Sequence, residues 1–159
     1  MKKIIAGLSL LLMMIAATAQ DKNSAYQLIE SQNYIFKAQS VFPDRGQLSQ
    51  LTADYDLAVS KGSVNAWLPF FGRAYSSSYN TTDGGIKFNS TDFEHTVKKG
   101  KKNRWEITIK PKDAPDVQYL YLTVFENKRA TLQVISTNRE SISFNGYIIE
   151  GSPAKKKAF

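Results

Sequence analysis

Trp105-Glu106-Ile107-Thr108-Ile109-Lys110 alternates an apolar side chain with a polar or charged one at every step. A period of two is the mark of a strand with one face in the core and the other in water. The same alternation extends to both sides of this stretch. Upstream it runs through Tyr34, Phe36 and Ala38 to a stop at Phe42-Pro43, then through Tyr55, Leu57 and Val59. Val64, Ala66 and Leu68 follow, halted by Pro69, then Ile86 and Phe88, and then Phe93, His95 and Val97. Downstream, Leu132 and Val134 precede Ile142, Phe144 and Ile148. Tyr119 to Phe125 is apolar on both faces apart from Thr123, which predicts a strand covered on both sides. Turn residues separate these runs at Gly100, Asp113 to Asp116, Asn127-Lys128 and Asn138 to Glu140.

Eight or nine short strands with short connections predict a mainly β fold, an antiparallel meander. Parallel crossovers would require helices that the pattern does not supply. The expected architecture is a closed or partly open barrel, or a strongly curved sheet. One short N-terminal helix belongs at its mouth or back. Ser24-Ala25-Tyr26-Gln27 reads as a capping box, and Ala25, Leu28 and Ile29 share one face at helical spacing.

The chain has 159 residues, no cysteine, one histidine and a net charge of +7. That size suits one domain. Without cysteine, a disulfide scaffold, a Cys-ligated zinc site, an iron–sulfur centre and a thiol nucleophile are excluded. Lys2 and Lys3 precede an uncharged apolar run, Ile4 to Ala17, and Ala17-Thr18-Ala19 offers small residues before Gln20. This pattern predicts a signal peptide over residues 1–19, cleaved after Ala19, and a periplasmic or secreted protein. The run is shorter than the ~20 residues of a membrane span. Residues 20–150 read as a single β-rich domain and residues 151–159, with Lys155 to Lys157, as a disordered basic tail. Ser24 to Glu150 holds 15 basic residues against 13 acidic ones, too even a balance for a nucleic-acid binder.

Leu68 to Tyr79 is the least generic segment. It sets Phe70, Phe71, Tyr75 and Tyr79 around Arg73, with Gly72 between. These residues suit a pocket rim, with aromatic faces for an apolar ligand and a guanidinium for an anionic head group. They suit still better a long connection pinned to the barrel by its own aromatics, because buried aromatics are far commoner than exposed apolar patches. Lys98, Lys99, Lys101 and Lys102 make a basic surface. Such a turn can meet an anionic membrane, or can simply be solvated and discourage edge pairing. Asp54 with Asp56, and Asp92 with Glu94, alternate with buried-side residues and read as solvent-facing carboxylates. His95, between Phe93 and Val97, reads as a hydrogen-bonded structural histidine. A lone imidazole supports neither a two-histidine metal site nor a choice of catalytic relays. Gly84-Gly85 lacks the Lys-Ser/Thr of a phosphate loop, and Asn80-Thr81-Thr82 and Asn89-Ser90-Thr91 are glycosylation sequons only in a eukaryotic secretory route. No catalytic residue, metal or cofactor is expected.

Leu68-Pro69-Phe70-Phe71-Gly72-Arg73-Ala74-Tyr75, followed by Gly84-Gly85-Ile86-x-Phe88 and closed by Ser141 to Ile148, resembles domain-of-unknown-function family 4251. The resemblance spans roughly Asn33 to Ile149. It implies a small exported bacterial protein and transfers no catalytic residue. The expectation is a non-catalytic binding module for an apolar or amphiphilic small molecule, with a pocket of ~300 Å³ or more entered past Phe70, Phe71, Arg73 and Tyr75. The alternative is an envelope protein–protein interaction module using an aromatic patch or a sheet edge. An enzyme ranks last.

Overall fold

Each apolar alternation becomes a strand of the computed structural model, which describes residues 24–44, 46–71 and 84–151. A helix, α1 (Ala25–Ser31), leads into β1 (Tyr34–Pro43), β2 (Ser49–Ser60), β3 (Ser63–Leu68), β4 (Ile86–Ser90) and β5 (Phe93–Lys99). Then come β6 (Arg104–Pro111), β7 (Val117–Phe125), β8 (Arg129–Ser136) and β9 (Ile142–Glu150). The expected signal peptide, Arg73, Tyr75, Tyr79 and the basic tail lie outside the described residues.

Ser24 starts α1 by accepting a hydrogen bond from the Gln27 N–H at 3.3 Å, satisfying one of the donors a helix start leaves free. The helix ends at Gln32, which takes a left-handed conformation with φ 49°. The Gln32 and Asn33 N–H groups then donate to the Ile29 and Leu28 carbonyls. Ala25, Leu28 and Ile29 bury themselves in the core.

Hydrogen bonding orders the strands β4-β3-β2-β1-β9-β8-β7-β6-β5, and all neighbours are antiparallel. Chain neighbours are sheet neighbours everywhere except between β4 and β5, the two ends of the order. Alternating directions around the sheet make those two strands run the same way, and only Thr91 and Asp92 separate them. They are therefore two halves of one stave. Its first half pairs with β3 and its second with β6. Nine strands thus make eight staves, and an even number lets an antiparallel ring close.

Asp113 holds the corner where the stave changes partners. Its carboxylate accepts hydrogen bonds from the Thr91 N–H at 2.9 Å, the Asp92 N–H at 3.2 Å and the Thr91 hydroxyl at 3.3 Å. The buried Ser90 hydroxyl donates to the same group. These donors, Ser90 first, hold the Asp113 pKa down at about 2.

An eight-stave barrel is just wide enough for side chains to fill. Tyr34, Phe36, Phe144, Leu57, Ile107, Leu122 and Leu132 lie inside, each essentially inaccessible to water. They belong to one continuous apolar cluster to which every strand but β5 contributes buried residues, with the partly buried Phe93 and Val97 of β5 packed against it. The close approach of β9 to β1 depends on Gly146. It pairs with Ala38 beside a register shift between Ala38 and Ser40. A β-carbon on Gly146 would lie 1.9 Å from the Lys37 carbonyl oxygen.

Two expectations need correcting. The strand from Tyr119 to Phe125 is not covered on both faces, because Tyr121 and Phe125 are 41% and 39% exposed. Among the described residues no second layer covers this face, and Tyr119 and Tyr121 instead stack on each other at 5.6 Å beneath the Lys110 ammonium. Asp56 does not face open solvent. It is 8% exposed, bonded to Lys37 at 3.1 Å from β1 and flanked by Trp67 of β3. Asp54 is exposed as expected.

Because backbone lies where the new methyl group must go, Gly146→Ala should destabilise the protein by about 3 kcal/mol or more, the range of severe core disruption. Urea denaturation followed by far-ultraviolet circular dichroism reads the loss. An alanine variant within ~0.5 kcal/mol of the parent, the range of neutral surface changes, would contradict this packing.

Candidate functional site: the cleft beside the free edge of β4

Among the described residues β4 is hydrogen-bonded to β3 alone, so its other edge carries main-chain donors and acceptors without a described strand partner. There β6 has already ended at Pro111, and the chain crosses to β7 through Lys112 to Asp116. The gap is a cleft of about 280 Å³. Gly85 to Phe88 form one wall and Asp113 to Val117 the other, with Ser136 and Arg139 at the end. Ile86, Ala114 and Val117 supply buried apolar surface, and Phe88 is half-buried.

Arg139, in the β8–β9 connection, bridges the cleft to the start of β4. Its Nη1 donates to the Gly84 carbonyl at 3.1 Å and to the Gly85 carbonyl at 3.2 Å. Its guanidinium lies 5.2 Å from the centre of the Phe70 ring. The site therefore presents apolar walls, free main-chain groups and a cation held in place by carbonyls and an aromatic face. Nothing local in the sequence marks Arg139 as a site residue, since it sits in the β8–β9 turn and only the tertiary structure links it to β4.

Of the five expected site residues, two are described. Phe70 packs against the core and carries Arg139, whereas Phe71 is 51% exposed. Neither lines the cleft. Among the described residues the inside of the barrel carries buried core side chains, as an eight-stave barrel allows.

His95 has the structural role anticipated for it. Its Nε2 lies 3.0 Å from the Tyr34 hydroxyl, joining β5 to β1 across the inside of the barrel. Nδ1 is buried without a hydrogen-bond partner among the described residues. Burial pushes the imidazole pKa below its ordinary value, partly opposed by the backbone carbonyl of His95 itself. Burial also pushes the Tyr34 hydroxyl well above its usual range. Both groups are thus neutral at pH 7. Among the described residues, no cluster of three or more His, Asp, Glu or Cys side chains is arranged to hold a metal ion.

Lys98, Lys99, Lys101 and Lys102 are exposed around the β5–β6 turn, as their spacing suggests. No described helix is long and apolar enough to cross a membrane.

The family model described as domain of unknown function (DUF4251) matches residues 16–148. A solved structure with the same fold is the crystal structure of a DUF4251 family protein from Bacteroides eggerthii DSM 20697. It shares 16% sequence identity at a TM-score of 0.61, over 79% of this chain and 85% of that one. No curated protein matches the chain.

A histidine with a depressed folded pKa stabilises the protein above the unfolded value of about 6.5. That contribution is lost as pH falls through 6.5 towards the folded value. The melting temperature should therefore drop between pH 7.5 and pH 5 more steeply in the parent than in His95→Gln. Equal slopes in thermal melts would remove His95 as the cause.

Proposed function

The chain belongs to the DUF4251 family, and from that premise and the geometry of the cleft we propose that it is an exported, non-catalytic docking module of the cell envelope. Its ligand is an extended peptide segment of a partner, laid along the free edge of β4. The supporting observation is the edge itself: β4 pairs with β3 on one side and meets an apolar cleft on the other. A peptide added there gains main-chain hydrogen bonds, and every second side chain points into the cleft. The leader-like residues Lys2 to Ala19 support export. The commitments of the two groups most suited to chemistry support a non-catalytic role. His95 is engaged with Tyr34, and Asp113 with the main chain of the corner.

A second reading keeps the site and changes the ligand to a small amphiphile. Arg139 over Phe70 favours it, as a cation poised for an anionic head group. The cleft volume of about 280 Å³ is near the lower end of small-molecule pockets, ~300 Å³.

Peptides selected from a random display library against the parent protein should bind about tenfold more weakly to Ala114→Phe, which places a ring in the cleft. Equal binding to both proteins would dismiss the edge reading. Native mass spectrometry of protein purified from its own envelope tests the second: a co-purifying small mass absent from Arg139→Ala supports it, and a bare protein counts against it.

A further inference from the structure

The opposite end of the barrel carries a charge that neither reading uses. Lys98 to Glu106 holds five basic residues against one acid, and Phe125 to Arg129 holds two against one, a net +5. The rest of Ser24 to Glu150 holds eight basic residues against eleven acidic ones, a net −3. Positive charge is therefore concentrated in these two turns although the sum over the domain is small.

The two turns are neighbours in space. Arg104 pairs with Phe125 across β6 and β7, and Asn103 Nδ2 donates to Glu126 Oε2 at 3.3 Å. A shallow groove lined by Lys102, Asn103, Phe125, Glu126 and Asn127 runs between them. Its acids are already engaged: Glu126 by Asn103, and Glu106 by Arg104 at 2.8 Å. Lys98, Lys99, Lys101 and Lys102 have no ion pair among the described residues. Guarding a sheet edge does not account for Lys101 and Lys102, which lie in the turn beyond the ladder. Lys102 and Lys128 also have left-handed backbones, φ 59° and 65°, a conformation that favours glycine and asparagine.

Aromatic residues share this end. Phe125 is 39% exposed opposite Arg104, and Tyr26 of α1 is 48% exposed with its ring 6.0 Å from that of Trp105. Trp105 itself pairs with Lys99. Lysines around exposed aromatic rings match the layered chemistry of a bilayer surface, where ammonium groups meet lipid phosphates and amphipathic rings settle at headgroup depth. A soluble polyanion would use the charge alone.

We propose that this end of the barrel docks on an anionic lipid bilayer, with the lysines of the β5–β6 turn on the phosphate layer and Phe125 and Tyr26 entering the interface. The concentrated positive charge orients the molecule on approach and keeps the cleft, at the other end, facing away from the lipid.

Co-sedimentation with phosphatidylcholine vesicles, with and without phosphatidylglycerol, tests this on the full chain as expressed, exported and processed by cells. Binding should require phosphatidylglycerol and weaken as salt shortens the Debye length. Lys99→Glu/Lys101→Glu/Lys102→Glu should bind about 100-fold more weakly, and Phe125→Ser about tenfold, each with an unchanged melting temperature. Three results would overturn the proposal. One is no binding above that to phosphatidylcholine alone. Another is a triple variant within about threefold of the parent, which would assign the binding to the Lys155 to Lys157 tail. The third is dextran sulfate captured as strongly as vesicles with Phe125→Ser unchanged, which would make the surface a polyanion site.

Discussion

Everything in this fold depends on how one stave passes from β3 to β6. β4 and β5 run in the same direction, so the sheet curls into a nearly closed barrel with these strands acting as consecutive halves of a single stave. The chain must break its ladder at Thr91 and Asp92 to do so, leaving their N–H groups without strand partners. Asp113 answers that need from the far side of the seam. One carboxylate accepts from two backbone N–H groups and two hydroxyls, and those donors are why it remains ionised well below the usual carboxylate range. The site follows from the same constraint: a stave that changes partners has one free edge in each half, and the free edge of β4 borders the cleft.

Closure at eight staves also decides what the protein can hold. The lumen of such a barrel accommodates either a packed core or a modest ligand, and here it is packed. Tyr34 and His95 add a polar strut, joining β1 to the stave that is paired least completely. At one end lies a cleft with apolar walls and a fixed guanidinium. At the other are two lysine-bearing turns with exposed aromatics.

Much of this was legible in the chain because a strand with one wet face leaves a local, period-two record. Tyr34, Phe36, Leu57, Val64, Ile107, Ile109, Leu132 and Phe144 all point inward as their alternation required. The turns at Gly100, Asp113 to Asp116 and Asn127-Lys128 lie where their residues indicated. The exceptions have a shared cause. Tyr121 and Phe125 read as buried because hydropathy records what a side chain tolerates, whereas whether another element covers that face depends on the tertiary arrangement. Asp56 read as solvent-facing because its cover, Lys37 and Trp67, comes from strands far away in sequence. The Leu68 to Tyr79 segment drew notice for its aromatic content, yet the described cleft is made largely by residues with no such local signal.

By itself, then, the sequence determined the strand class, the positions that face the core, the helix start at Ser24 and the concentration of lysine around Gly100. Each is set by interactions within a few residues, so a local pattern suffices. Only the tertiary structure decided that β4 and β5 share a stave, that Asp113 secures their corner, that Arg139 reaches Gly84 and Gly85, and that Tyr34 meets His95. Those contacts join residues about 20 to 60 positions apart. They exist because barrel closure brings distant edges together, and that closure is a property of all eight staves at once.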